Sequence, residues 1–171
     1  MSITPPPPLH PLLGAAAQRV RQALRTAAER TVQSLDLAAM TALGAQRDAL
    51  LAAQFELSRK RAPFEQAFDQ AFDEQLRSAG GMSSAPQPQA WEALTLVEDR
   101  ELEIKVQAER FALEITHGLE WELRELEAYV GSLLGDARAE RERNPLRPES
   151  IGHGVIRAVD AIVDRPEVRR V

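Results

Sequence analysis

Glu114 and His117 come closest, by residue type and spacing, to a catalytic pattern in this sequence. They form a Glu-x-x-His motif, which di-iron and di-manganese carboxylate bundles use because residues three apart share a helix face. Such a centre also needs a second Glu-x-x-His and two more glutamates. His153 follows Glu149 by four residues, and His10 lies in a proline-rich stretch. We therefore expect a solvated His117 and no bound metal, with a metal–carboxylate helical-bundle enzyme as an open alternative.

Other familiar catalytic motifs are missing from the sequence. There is no Gly-x-Ser-x-Gly elbow, no phosphate-binding loop and no dinucleotide-binding glycine fingerprint. The chain has no cysteine, which excludes disulfides, thiolate zinc sites and cysteine nucleophiles. The sequence therefore predicts a protein that is not an enzyme and uses no cofactor.

The charged residues are unevenly distributed along the chain, whose net charge is −5. Residues 91–135 carry eleven acidic against four basic side chains, whereas residues 11–43 carry four arginines against two acids. Binding to nucleic acid requires concentrated positive charge, so a nucleic-acid partner is not expected. Acidic and basic segments of this kind are typical of helices that pair within a chain or between subunits.

Length and hydropathy favour one cytoplasmic domain. The chain has 171 residues, enough for a single core, and no apolar run approaches the roughly 20 residues that span a bilayer. The N-terminus has no basic region and its apolar part is broken by prolines, so neither a secretory signal nor membrane insertion is expected. We predict a disordered proline-rich tail at residues 1–10 and a helical bundle domain at residues 11–171.

Helical spacing dominates this domain. Apolar residues recur every three or four positions from about Leu12 to Leu43, and Gly44 fits a stop or a kink. A second helix is predicted from about Ala45 to Arg77. Residues 78–90 combine glycine, serine and proline, which is typical of a flexible linker.

The clearest segment follows that linker. Apolar residues from Val97 to Leu133 keep three- and four-residue spacing over about five heptads. A helix of roughly 38 residues would be about 57 Å long at 1.5 Å per residue. The sequence therefore predicts an all-α fold: an elongated antiparallel helical bundle with long coiled-coil-like helices. We expect a ladder of phenylalanines to be buried against residues 104–126 of the long helix, namely Phe64, Phe68 and Phe72.

The sequence NPLRPE, residues 144–149, has the composition of a corner between helices. Pro145 ends a helix because proline restricts the residue before it and lacks a donor, and Pro148 suits the first turn of a new helix. Gly152 and Gly154 each cost about 1 kcal/mol relative to alanine inside a helix. Their presence predicts that this helix lies close against another backbone.

The same segments resemble a bacterial family, domain of unknown function 1631. The family pattern is L-x-L-V-x-x-x-E-L-E, followed about forty residues later by N-P-L-x-P. The matching positions are Leu94, Leu96, Val97, Glu101, Leu102, Glu103, Asn144, Pro145, Leu146 and Pro148. The resemblance covers most of residues 12–171. The C-terminal sequence EVRRV is similar to the start of a further family helix, which implies that this chain is the N-terminal part of a longer protein.

The resemblance also implies a possible link to cyclic dinucleotides, because some long members look like carriers of a PilZ-type module. Arg143 and Arg147 have the Arg-x-x-x-Arg spacing of that module. The accompanying [DN]-x-Ser-x-x-Gly element is missing, and the chain has almost no strand signal. We interpret the two arginines as structural and leave a cyclic-dinucleotide-linked signalling effector region as an alternative.

The function that fits these features best is a non-enzymatic helical scaffold or regulatory protein–protein interaction domain. A seam of five heptads needs partners of matching length, so we expect a homodimer in which residues 19–30 of one chain meet the acidic helix of the other. The run Arg59, Lys60, Arg61 is expected to pair with acidic neighbours on the surface. Trp91 and Trp121 are expected to be packing residues.

Overall fold

The computed structural model describes residues 11–79, 91–134 and 144–163. These residues form five helices: α1 (Pro11–Thr41), α2 (Gly44–Arg59), α3 (Arg61–Ala79), α4 (Trp91–Leu134) and α5 (Pro148–Ile162). They contain no β-strand, which confirms the all-α prediction. The predicted tail at residues 1–10 lies outside the described residues, as does the predicted linker from residue 80 onward. None of the helices in these ranges has the length and apolar character needed to cross a membrane.

Helices α1 and α2 form a hairpin that turns at Ala42 and Leu43. The next residue, Gly44, has a φ of 56°, in the left-handed region that residues with a Cβ rarely adopt. The predicted stop at Gly44 is therefore confirmed, and its cause is the backbone geometry of the turn.

The second predicted helix, from Ala45 to Arg77, is wrong as a single element, because the structure divides it into α2 and α3 at Lys60. Lys60 has φ −104° and ψ 26°, away from helical values. Proline inside a helix clashes with the carbonyl four residues earlier, and Pro63 would meet that of Arg59 in a continuous helix. Lys60 also donates a hydrogen bond from Nζ to the carbonyl of Ile162 at 2.7 Å, which ties the break to the end of α5.

Helix α5 occupies the centre of the domain, because it packs against both α3 and α4. A Cβ added to Gly152 would lie 2.9 Å from the backbone oxygen of Ala108 in α4. A Cβ added to Gly154 would lie 2.9 Å from the ring of Phe68 in α3. Residues two apart point to opposite sides of a helix, so the two glycines serve the two contacts. The predicted close approach is confirmed, although Gly154 meets a side chain and not a backbone.

The phenylalanine ladder is buried as predicted, but the predicted partner is wrong. Phe68 is fully buried, and its ring stacks on Phe72 with 5.4 Å between centroids. The helix that packs along α3 is α5, which places Gly154 against Phe68. Residues from other elements complete this core: Leu13, Ala17 and Ala28 of α1, Val130 of α4, Leu146, and Ala158 and Ile162 of α5.

The long helix exists, but it is not one straight coiled-coil rod. Helix α4 contains a non-helical residue at Leu119, with φ −134° and ψ 27°, so two helical segments meet there at a kink. Gly118, immediately before it, has open space where a Cβ would be. The seam is buried before the kink at Ile104 and after it at Val130, whereas Leu119 itself is exposed.

The described part of the corner, residues 144–149, forms a turn and the start of α5, as predicted; the predicted end of the preceding helix lies outside the described residues. The Asn144 side-chain oxygen accepts a hydrogen bond from the backbone N–H of Leu146 at 2.9 Å, which forms a tight turn. Arg147 is the extended residue before the helix, and Pro148 occupies its first turn. Asn144 is buried, so its side-chain hydrogen bond satisfies a group that would otherwise be costly to bury.

Candidate interaction surface

Helix α4 is apolar on two opposite faces. Its inner face packs toward α5 and contains the buried residues Ile104, Ala108 and Ala112. Leu102, Val106 and Leu113 are 60%, 42% and 69% exposed. At about 100° per residue these three lie within about 40° of arc, on the side opposite the inner face. We call them the α4 outer stripe.

Acidic side chains flank this stripe. Glu103, Glu109 and Glu114 are exposed on the same helix, with Lys105 and Arg110 as the nearby basic residues. The segment 91–135 carries eleven acids against four bases in total. The stripe is therefore an apolar strip bordered by three acidic and two basic side chains, an arrangement that resembles the apolar core and polar rim of protein interfaces.

Part of the basic segment of α1 is already paired within the chain. Arg21 lies 3.2 Å from Asp69 of α3, and Arg25 lies 3.2 Å from Glu65 of α3. These ion pairs hold α1 beside α3, although partly exposed pairs of this kind contribute only about 0–1 kcal/mol each. The expectation that the whole of residues 19–30 faces a second chain therefore needs correction, because two of its four arginines face α3.

The outward side of α1 carries an open, nearly flat depression of about 680 Å³, lined by residues of α1 alone. Most of its lining side chains are small, with one arginine and one leucine: Ala23, Thr26, Ala27, Thr31, Ser34, Ala38, Arg30 and Leu35. We call it the α1 groove. Arg30 is exposed and forms no ion pair with any residue that the structure describes. Leu37, beside the groove, is 66% exposed.

The basic run Arg59, Lys60, Arg61 lies at the break between α2 and α3. Two of its residues pair with acidic neighbours, as predicted. Lys60 lies 2.7 Å from Glu56, one helical turn earlier. Arg61 lies 2.6 Å from Glu29 of α1 and 2.9 Å from Glu65 of its own helix. Arg61 therefore links α3 to α1, while the Lys60–Glu56 pair is local to the end of α2.

Trp121 does not have the packing role expected from the sequence. It is 66% exposed, and Tyr129 on the same helical segment is 68% exposed. Both follow the kink at Leu119, which redirects the second segment of α4. The side chain of Trp91 lies outside the described residues.

Of the two arginines with PilZ-like spacing, Arg143 lies outside the described residues. Arg147 precedes α5 and donates from Nε to the Ser150 hydroxyl at 3.3 Å. A depression of about 510 Å³ beside it contains two guanidinium groups and three carboxylates: Arg124, Arg147, Glu120, Glu127 and Glu149. This mixture of signs does not favour a dinucleotide phosphate, so the observed role of Arg147 is to shape the corner.

Glu114 and His117 are both exposed on α4. The described parts of the chain contain no group of three or more histidine, aspartate or glutamate side chains placed to hold a metal ion. The structure therefore brings no further ligand to the Glu-x-x-His pair among residues 11–79, 91–134 and 144–163.

His153 of α5 is a titratable residue for which the sequence pattern predicted no role. It is partly buried, and its Nδ1 atom has no hydrogen-bond partner among the described residues. Burial lowers the pKa of His153 below its ordinary value of 6.5, and the nearby positive charge of Arg157 lowers it further. The carboxylates of Glu101 and Glu74 oppose this shift.

We expect the domain to lose stability as the pH falls through about 6.5, because the unfolded chain then takes up a proton that folded His153 resists. Melting temperatures of the wild type and of His153→Gln, measured at neutral and mildly acidic pH, test this. The wild type should lose more stability on acidification than His153→Gln does. His117→Gln, at an exposed histidine, is the control and should retain the wild-type pH dependence. Equal pH dependence in all three proteins would contradict the assignment.

These observations define an all-α helical domain with a central glycine-containing helix and an exposed apolar face on its longest helix. Residues 4–170 match the family described as protein of unknown function (DUF1631), N-terminal domain. The chain therefore belongs to this family, which confirms the resemblance found in its motifs. No curated protein and no solved structure matches the chain.

Proposed function

We propose that this domain is a non-enzymatic, cytoplasmic protein–protein interaction domain whose binding surface is the α4 outer stripe. The observation that carries the proposal is that α4 is apolar on two faces, and α5 covers one of them. Exposed apolar patches with a polar border mark interaction sites more often than isolated exposed residues do. Leu102 and Val106 are four residues apart and Leu113 follows seven residues later, so the three point the same way, with Glu109 and Arg110 between the last two.

The packing of α5 beneath the α4 outer stripe favours the same function. Gly152 brings the backbones of α5 and α4 close together, and Gly154 does the same for α5 and the ring of Phe68. The inner residues Ile104 and Ala108 are buried by this packing. A rigid support lowers the entropy cost of association, because the binding helix is already ordered before the partner arrives.

A photoreactive amino acid at position 113 tests the proposal in the native cell. We expect ultraviolet light to produce discrete crosslinked species of higher mass from Leu113, because this residue would lie inside the interface. The matched control is the same substitution at Tyr129, which is on the same helix, equally exposed and off the stripe. Crosslinking at both positions alike, or at neither, would count against the α4 outer stripe as a binding surface.

A further inference from the structure

We infer that the α4 outer stripe binds the α1 groove of a second copy of this chain. This inference rests on the proposed function and identifies its partner. Within one chain, α1 packs on α2 and pairs with α3, while α4 packs on α5. The stripe and the groove are thus two outward-facing surfaces on different parts of the same molecule.

The two surfaces differ in side-chain size in the way that packed helices do. The groove extends from Ala23 to Ala38, or about 22 Å at 1.5 Å per residue, and the stripe from Leu102 to Leu113, or about 16 Å. Large side chains that project from one helix pack into the spaces between small side chains of another, which is the usual geometry of helix packing. The stripe supplies the large residues, and the groove supplies the small ones.

The charges of the two surfaces favour α4 against α1 of a second chain over α4 against α4. Arg21 and Arg25 are paired with α3, so Arg30, which lines the groove, is the basic residue that this surface offers a partner. Three exposed acids, Glu103, Glu109 and Glu114, lie on α4 around the stripe against two bases, Lys105 and Arg110. Two copies of α4 side by side would bring two acidic segments together, whereas α4 against α1 places opposite charges across the interface. Complementary potentials of this kind suppress wrong pairings more than they add affinity.

We expect the contact to form twice about a two-fold axis, so that the stripe of each chain docks on the groove of the other and the dimer is closed; the same contact repeated head to tail would instead give larger assemblies. The expected particle has about twice the monomer mass of 18.9 kDa. Its dissociation constant should rise with salt, since exposed charges farther apart than about 10 Å are screened at 0.1 M.

Light scattering coupled to size exclusion tests the dimer with matched variants. We expect wild type and Tyr129→Asp to be dimeric at micromolar concentration, and Leu113→Asp to give the monomer mass. Both substitutions alter exposed side chains, so circular dichroism should show unchanged helicity and melting. A monomeric wild type, or a Leu113→Asp dimer of undiminished affinity, would overturn the inference.

The absence of native cysteine allows a direct test of which surfaces meet. Ala27→Cys protein mixed with Val106→Cys protein should form a mixed disulfide several-fold faster than Ala27→Cys mixed with Tyr129→Cys. Equal rates for the two mixtures, or a dominant Val106→Cys homodimer, would exclude the α1 groove as the partner surface. If the wild type is monomeric but position 113 crosslinks to a different protein in cells, the inferred self-association is wrong and the proposed function stands. If position 113 crosslinks to nothing, both fail.

Discussion

Replacing Phe68 by alanine is expected to lower the free energy of unfolding by about 3–5 kcal/mol, the usual range for removing a fully buried phenylalanine. Phe68 is 0% exposed, stacks on Phe72 and covers Gly154 of α5. Alanine would leave a cavity at the contact between α3 and the central helix. Urea unfolding followed by circular dichroism measures the loss.

Phe55→Ala is the matched control for this substitution. Phe55 lies on α2 and is 57% exposed, with Arg59 stacked 6.0 Å from the ring centre. Its loss should cost about 1 kcal/mol or less, because the ring gives up one exposed cation–π contact and little buried area. If both variants lost the same stability, Phe68 would not be the centre of the core.

Gly152→Ala is expected to destabilise the domain by about 1–3 kcal/mol, although alanine normally stabilises a helix interior relative to glycine. The added Cβ would lie 2.9 Å from the backbone oxygen of Ala108 and 3.1 Å from a ring carbon of Phe111. A backbone atom cannot rotate away as a flexible side chain can, so α5 and α4 must separate. Chemical denaturation would show a lower midpoint with an unchanged slope.

Gly118→Ala is the control for this substitution, and we expect it to raise the free energy of unfolding where Gly152→Ala lowers it. Nothing lies within 4 Å of the position that its Cβ would take. We expect up to about 1 kcal/mol of stabilisation from the helix preference of alanine. Two glycine-to-alanine changes with opposite effects would show that Gly152 is required by close packing. A stabilised Gly152→Ala would mean that α4 and α5 are farther apart than the structure indicates.

Most of the boundaries between helices follow from local signals in the sequence. Gly44 and Pro148 correctly predicted where elements end and begin, because their backbone restrictions act over a few residues. Pro63 carried the same kind of information, and it divides the predicted helix from Ala45 to Arg77 at Lys60. The predicted single helix is wrong because apolar spacing continues across Pro63, whereas the backbone of a helix does not.

The sequence pattern predicted only one of the two apolar faces of α4. Ile104 and Ala108 belong to the apolar spacing predicted between Val97 and Leu133, while Leu102, Val106 and Leu113 form a second apolar set on the other side of the same helix. Periodicity identifies both sets but does not say which one is covered. That depends on where α5 packs, which is a contact between residues far apart in the chain.

The amino-acid sequence by itself determined the all-α class, the family and the start of the last helix, because helical periodicity and proline and glycine chemistry are local. The tertiary structure decided the rest: α5 and not α4 packs along the phenylalanine ladder, and the long helix is kinked at Leu119. It also decided that two arginines of α1 face α3. These outcomes depend on which apolar faces meet. Several arrangements of amphipathic helices satisfy the same sequence pattern, and close contacts such as that of Gly152 with Ala108 determine which arrangement forms.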